Sequence, residues 1–142
     1  MYQKIIVVGN LGRDPEMRYL PDGTPVTSFS IATNRRWNDK RSGQQQDETT
    51  WFRVTAWSKL AETSNQFLSK GSKVLVEGRL KPDPQTGGPS LFTRQDGTVG
   101  ASFEIVADTV RFLSGRDDGG SYSGGDDGGA AAPAHEEDEI PF

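Results

Sequence analysis

The chain has 142 residues, a formal net charge of −4, three Trp, one His and no Cys, a length that suits one compact domain of common size. Without Cys there are no disulfides and no thiolate metal sites, a usage that fits a reducing cytoplasm, and with His135 as the only imidazole, metal and histidine-based catalysis have almost no raw material, so no cofactor is expected. The net charge averages two unlike parts: residues 1–113 carry 15 Lys and Arg against 12 Asp and Glu, +3, and residues 114–142 carry 1 Arg against 8 Asp and Glu, −7, an asymmetry compatible with nucleic-acid traffic and equally with a solubilising tail.

Met1-Tyr2-Gln3-Lys4 leads directly into Ile5-Ile6-Val7-Val8, an apolar run too short for a signal-peptide core or a bilayer span. A cytoplasmic protein is expected. Residues 4–11 read as a strand apolar on both faces, which implies cover on both sides, inside a barrel or from another subunit. Gly12-Arg13-Asp14-Pro15 breaks or bulges the chain. Residues 16–20 are extended again and Pro21-Asp22-Gly23 signals a turn.

A second strand over 25–37 places Phe29 and Ile31 on one face. The polar run 38–48, with Ser42-Gly43 near its middle, reads as a long hairpin loop that would bring Trp37 and Trp51 close together. Parity puts Trp37 on the face of Phe29 and Ile31, so either a bulge resets the face or the strand runs past the barrel, where there is no inside.

The third strand, Trp51-Phe52-Arg53-Val54-Thr55-Ala56-Trp57, has the most distinctive pattern. Side chains alternate along a strand, so Phe52, Val54 and Ala56 can join a core while Trp51, Arg53, Thr55 and Trp57 face the other way. Ser58 is a candidate N-cap with Glu62 in the first helical turn. Leu60, Ala61, Ser64, Phe67 and Leu68 form a helical stripe, and Lys70-Gly71 supplies a stop with Gly at C′. A fourth strand over 72–81 alternates Val74, Val76 and Leu80 against Lys73, Glu77 and Arg79. Residues 82–98, rich in Pro and Gly, form a long loop or hairpin. A last strand over 101–113 puts Phe103, Ile105 and Ala107 on one face.

Three strands, one helix and two strands predict an all-β fold with one short helix, in the order of a five-stranded antiparallel OB-fold barrel. From residue 114 Gly, Asp, Ser and Ala dominate, a composition that buries too little apolar surface to offset its ordering entropy. The expected organisation is a barrel domain over 1–113, a disordered linker over 114–134 and an acidic tip over 135–142. In that tip Asp138, Glu139, Ile140, Pro141 and Phe142 make a shape suited to partner docking.

Binding a single strand without sequence preference needs cations along the backbone and flat side chains for the bases. The candidate stackers are Trp37, Trp51, Trp57 and Phe92; the candidate cations are Arg18, Arg53, Lys59, Lys70 and Lys81. A lone Trp is more often core and a lone Lys more often solvated surface. Trp51 and Trp57 differ because the opposite face of their strand already offers a core, and Arg53 between them can stack as a guanidinium plane. Gly9-Asn10-Leu11-Gly12 lacks the Lys and helix start of a phosphate-binding loop. The paired carboxylates Asp47-Glu48 stand beside no nucleophile or base. A binding protein, not an enzyme, is expected.

The motifs Lys4-Ile5-Ile6-Val7-Val8-Gly9-Asn10-Leu11-Gly12-Arg13-Asp14-Pro15-Glu16, Trp51-Phe52-Arg53-Val54, Lys59-Leu60-Ala61-Glu62, Leu68-Ser69-Lys70-Gly71-Ser72 and Val76-Glu77-Gly78-Arg79-Leu80 resemble the bacterial single-stranded DNA-binding protein family, SSB. Asp138-Glu139-Ile140-Pro141-Phe142 is similar to that family's partner-docking tip. The resemblance implies a homotetramer of OB domains that wraps single-stranded DNA in replication, recombination and repair, with stacking positions at Trp37, Trp51, Trp57 and Phe92. The chief departure is the segment 82–91, longer and richer in Pro and Gly than the usual run into that hairpin.

Overall fold

A computed structural model describes residues 1–113. The linker expected over 114–134 and the tip over 135–142 lie outside the described residues. In chain order the elements are β1 (Ile5–Leu11), β2 (Glu16–Tyr19), β3 (Pro25–Asn38), β4 (Gln45–Trp57), α1 (Ser58–Phe67), β5 (Lys73–Lys81), β6 (Ser90–Thr93) and β7 (Val99–Phe112).

Five strands close on themselves in the order β1-β5-β7-β4-β3, with β3 returning to β1; β2 extends the sheet beside β3 and β6 pairs with β7. The expected barrel with one helix between its third and fourth strands is therefore present. Four of its seams are antiparallel and one, β4–β7, is parallel, with Phe52 opposite Phe103 and Val54 opposite Ile105.

The inside is filled by the β-branched and aliphatic residues that alternation places there. Val7, Leu11, Phe29, Ile31, Val54, Ala56, Val74, Val76, Ile105 and Ala107 are buried together. Each larger one contributes about 1.5–3 kcal/mol by leaving water. Closure requires two close approaches of backbone. A Cβ at Gly9 would strike the Ala32 carbonyl, and one at Gly78 would strike the Val106 carbonyl. Gly78 also stands where the β5–β7 register shifts between Glu77 and Gly78, the bulge that bends a strand around a small barrel.

Helix α1 is tied to the barrel wall. Ala61 and Ser64 are fully buried, and the buried Thr27 hydroxyl donates to the Ala61 carbonyl at 2.7 Å. The helix ends differ from the expectation. Trp57, not Ser58, is the N-cap, with no side-chain cap bond, and Ser58 occupies the left-handed region at φ 55°. Strand β4 runs straight into the helix through this corner, so the extended residue at the cap is Trp57, whose side chain has no oxygen to offer the first N–H groups. At the other end Leu68 is the C-cap, in extended conformation. Gly71, at φ 87°, lies beyond it in the following turn, where its N–H donates to the Leu11 carbonyl at 2.9 Å.

Only the centre of the polar run 38–48, residues 39–44, is a loop; Asn38 and residues 45–48 are strand. β3 and β4 pair without interruption from Val26↔Trp57 to Asn38↔Gln45, so the hairpin projects beyond the barrel as a two-stranded arm. Its tight end is organised by Asp39, whose N–H donates to the Gln44 carbonyl and whose carbonyl accepts from Gly43, both at 2.8 Å. Arg36 and Asp47, 2.8 Å apart, and Thr49, donating to Asn34 at 2.9 Å, bridge one face of the arm. The unbroken register removes the bulge alternative: Trp37 lies past the barrel. It also separates the two indoles. Trp37 is opposite Gln46 and Trp51 is opposite Ala32, about 17 Å apart along the ladder at ~3.4 Å per residue and on opposite faces of it.

Gly78→Ala is expected to destabilise the barrel by about 3 kcal/mol, the upper range for forcing extra volume into a packed site, because a carbonyl on the facing strand has to retreat. Urea unfolding followed by far-UV circular dichroism measures it; a parental midpoint would mean that this approach is looser than the backbone indicates.

Candidate nucleic-acid interface

Strand β4 positions the site by alternation. Val54 and Ala56 are fully buried, while Trp51 and Trp57 on the other face are exposed. Phe52 packs partly buried against the core. Register extends this outer face across neighbouring strands. Ser30, Arg53, Glu104 and Lys81 form one cross-strand row, and Ser28, Thr55, Val106 and Arg79 form the next. Arg18, Val26 and Trp57 form a row nearer the helix. Lys81 Nζ lies 3.8 Å from Glu104. Arg53 and Arg79 make no ion pair among the described residues, so their charge is available to a polyanion.

The outer face opens into a groove of about 540 Å³, lined by Arg13, Trp51, Arg53, Leu91, Phe92 and Phe103 among others. Two aromatic rings here are seated on glycine. A Cβ at Gly12 would lie 2.7 Å from two atoms of the Trp51 indole, and one at Gly100 would lie 2.9 Å from Cε2 of Phe92. Only a residue without a side chain admits a ring at that distance, so both rings lie close against backbone. The Phe92 ring is also covered by Arg94, whose guanidinium carbon is 5.4 Å from its centroid. On the arm, Arg35 sits over Trp37 at 4.9 Å. Both are cation–π contacts between residues two apart on an exposed strand or its end.

A second groove, of about 380 Å³, is lined by Thr55, Trp57, Arg79, Leu80, Lys81 and Val106 together with Pro82. The structure therefore gathers Trp51, Arg53 and Phe92 in one groove and Trp57 and Lys81 in another, with Arg18 two strands from Trp57, across Val26. Trp37 stands apart on the arm. Lys59, in the first turn of α1, and Lys70, whose backbone N–H donates to Asp14 at 2.8 Å, line neither groove. The sequence reading missed Arg13, Arg79, Arg94 and Phe103 as members of this surface. Arg79 and Lys81 alternate onto one face of β5, so parity could have found Arg79. Phe103 carries no such signal. It shares the face of the buried Ile105 and Ala107, yet is 46% exposed, because it stands at the end of the barrel where the inside gives out, its ring 5.9 Å from that of Phe52.

Among the described residues no cluster of His, Cys, Asp and Glu could hold a metal ion, and no helix is long and apolar enough to cross a membrane. A small closed barrel with an outer face of aromatics and unpaired arginines defines an OB-type binding module. The chain matches the Single-strand binding protein family over residues 2–113 and belongs to that family.

The chain is 42% identical over 115 residues to the single-stranded DNA-binding protein of Neisseria meningitidis serogroup A / serotype 4A, and equally to that of serogroup B. Each match covers 81% of this chain and 62% of the relative, so the chain spans less than two thirds of these relatives' length. Among solved structures it is similar to the small single-stranded DNA-binding protein of Streptomyces coelicolor, with a TM-score of 0.64 and 30% identity over 79% of this chain and 95% of that one. A Plasmodium falciparum SSB solved in complex with ssDNA shares the fold at a TM-score of 0.66 and 24% identity, covering 80% of this chain and 97% of that one.

Strand β6 carries Phe92, and aspartates order the segments on either side of it. Asp83 accepts from the backbone N–H of Gln85 at 2.9 Å and of Thr86 at 3.1 Å. Asp96 accepts from the Thr98 hydroxyl at 2.6 Å and its N–H at 3.0 Å. These bonds hold both carboxyls below the usual aspartate range, the Gln85 N–H leading for Asp83 and the Thr98 hydroxyl for Asp96. A lowered folded-state value contributes order above the ordinary aspartate value, lost as pH falls through the folded one. The protection factors of the Gln85 and Thr98 amides, taken against the intrinsic exchange rate at each pH, are therefore expected to fall on acidification through and below that range, before those of the barrel amides of Val54 and Val76 do. Simultaneous loss of protection would show that the two turns have no titration of their own.

Proposed function

We propose that the protein is a sequence-independent single-stranded DNA-binding protein, not an enzyme, which protects exposed strands and recruits partners in DNA replication, recombination and repair. The observation that carries this reading is the division of β4. Trp51, Arg53 and Trp57 face outward over a core strand whose other side is dry, and Phe92 joins them across the groove. Bases stack on the rings and phosphates meet Arg53, Arg79 and the lysines. The names of the family and of its relatives in Neisseria support the choice of ligand. Trp37, on the arm, is an outlying platform, and Arg18, Lys59 and Lys70 are cations at the margins of the path.

The working assembly is a homotetramer of barrels in the cytoplasm, associated with the nucleoid. What supports association is β1, whose outward residues Ile6 and Val8 are exposed apolar side chains, with Val8 opposite the half-buried Leu75. A face of this kind is suited to burial against another copy. Residues 1–113 act as the binding domain and 114–134 as a tether. In the tip over 135–142, Ile140, Pro141 and Phe142 enter a pocket on the partner while Asp138 and Glu139 meet its basic residues.

Trp51→Ala is expected to weaken binding of a dT oligonucleotide by about 1–3 kcal/mol, the worth of one stacked base in proteins of this class, from which the figure is taken, with the thermal midpoint unchanged. Anisotropy titration measures it. An unfolded variant would make Trp51 a structural residue, and a parental affinity would remove it from the interface. Deleting residues 140–142 is expected to leave dT affinity nearly unchanged and to abolish co-purification of replication and repair proteins. Undiminished co-purification would contradict a docking tip.

A further inference from the structure

The segment 82–89 joins β5 to β6, inside the stretch 82–91 that the sequence resemblance marked as a departure, and no residue of β4 lines the pocket it borders. It is not slack. The Asp83 N–H donates to the Gly88 carbonyl and the Gly87 N–H to the Asp83 carbonyl, both at 2.9 Å. The Asp83 carboxylate accepts from Gln85 and Thr86 inside the same loop, and the Gly88 N–H donates to the Thr86 hydroxyl at 3.2 Å. A loop closed by this many internal bonds presents a fixed wall.

That wall encloses a pocket of about 320 Å³ with Gln3, Leu80, Lys81 and Phe103 among its other sides, at the lower end of the size of cavities that hold a small ligand. The pocket continues the aromatic groove: Phe103 and Glu104 line both. It also continues the Trp57 groove, with which it shares Leu80, Lys81 and Pro82. It therefore lies between the two grooves already described. Its chemistry suits one occupant. Phe103 is a half-exposed ring with a free path to solvent, Leu80 and the prolines add apolar wall, and Lys81 stands at the rim with a cationic Nζ. Glu104 also lines the pocket and lies 3.8 Å from Lys81, a pair loose enough for Lys81 to turn to a phosphate; flat apolar surface beside such a cation is what an unstacked nucleobase and its phosphate require.

We propose that the loop 82–89 and Phe103 form a pocket for one nucleobase of the bound single strand, through which the strand passes from the Trp51–Phe92 groove toward Trp57. This rests on the reading of the protein as a single-strand binder. Phe103 is then a binding residue whose ring serves two sites at once. The strand crosses the end of β7 there, which explains why a large aromatic occupies a position at the barrel mouth where half of it faces water.

Two substitutions in the full chain test the pocket from opposite sides. Phe103→Leu keeps an apolar side chain against Phe52 and removes the flat ring. Gly88→Leu adds a bulky side chain at a residue that lines the pocket. Gly88 tolerates a side chain, since a Cβ there meets only the Thr86 hydroxyl, at 3.6 Å. Each is expected to weaken binding of a long dT strand about fivefold or more, the lower bound for one stacked base, with the thermal midpoint held near the parental value. Trp51→Ala is measured alongside. If the folded Phe103→Leu or Gly88→Leu protein binds within twofold of the parent while Trp51→Ala binds weakly, the pocket is overturned and the single-strand reading survives. If all three bind like the parent, that reading falls with it.

Discussion

Successive side chains of a strand point to opposite faces, and in a barrel of five strands one of those faces is sealed. Strand β4 lives under that constraint. The residues that fill the barrel, Val54 and Ala56, fix the direction of Trp51, Arg53 and Trp57, and no rotation of the strand can change one set without expelling the other. The orientation of the binding face is thereby secured by the whole hydrophobic core. Neighbouring strands inherit the same parity, which is why Arg79 and Lys81 of β5 and Glu104 and Val106 of β7 appear in rows beside Arg53 and Thr55.

The constraint ends where the barrel ends. Beyond Ile31 the hairpin has no inside, and Trp37, on the parity of the core, is exposed without penalty. At the mouth Phe103 shares the parity of Ile105 yet faces water on one side. Glycine does the remaining positioning. Gly9 and Gly78 let strands approach closely enough to close the barrel. Gly12 and Gly100 let an indole and a phenyl ring lie against backbone. The same residue type thus shapes the fold at one pair of positions and the interface at the other.

Much of this was legible in the sequence. Alternation in 51–57 separated core from outer face correctly, Phe29 and Ile31 read as core, and the order of strands and helix gave the barrel. What was not legible depended on partners distant in sequence. A polar run of the composition of residues 38–48 reads as loop, and cross-strand bonds such as Arg36–Asp47 are what make its ends strand. Ser58 looked like a cap because nothing local reveals that β4 enters α1 through a left-handed corner. The exposure of Phe103 was not legible because parity says which face a residue is on, not where the barrel stops. The loop 82–89 was visible as a departure, but its internal order comes from Asp83, whose role depends on backbone geometry.

The central claim is that the outer face of β4 and its neighbours receives unstacked bases. Trp51 and Trp57 are exposed on the proposed path, while Trp37 stands apart on the arm, so Trp fluorescence reports it. Titration with a dT oligonucleotide and with a duplex of equal length, at one salt concentration, is the most direct measurement. Strong quenching by dT with little by duplex is the result that this account predicts; equal quenching by both would contradict it, because a paired base offers no free face to Trp51 or Trp57.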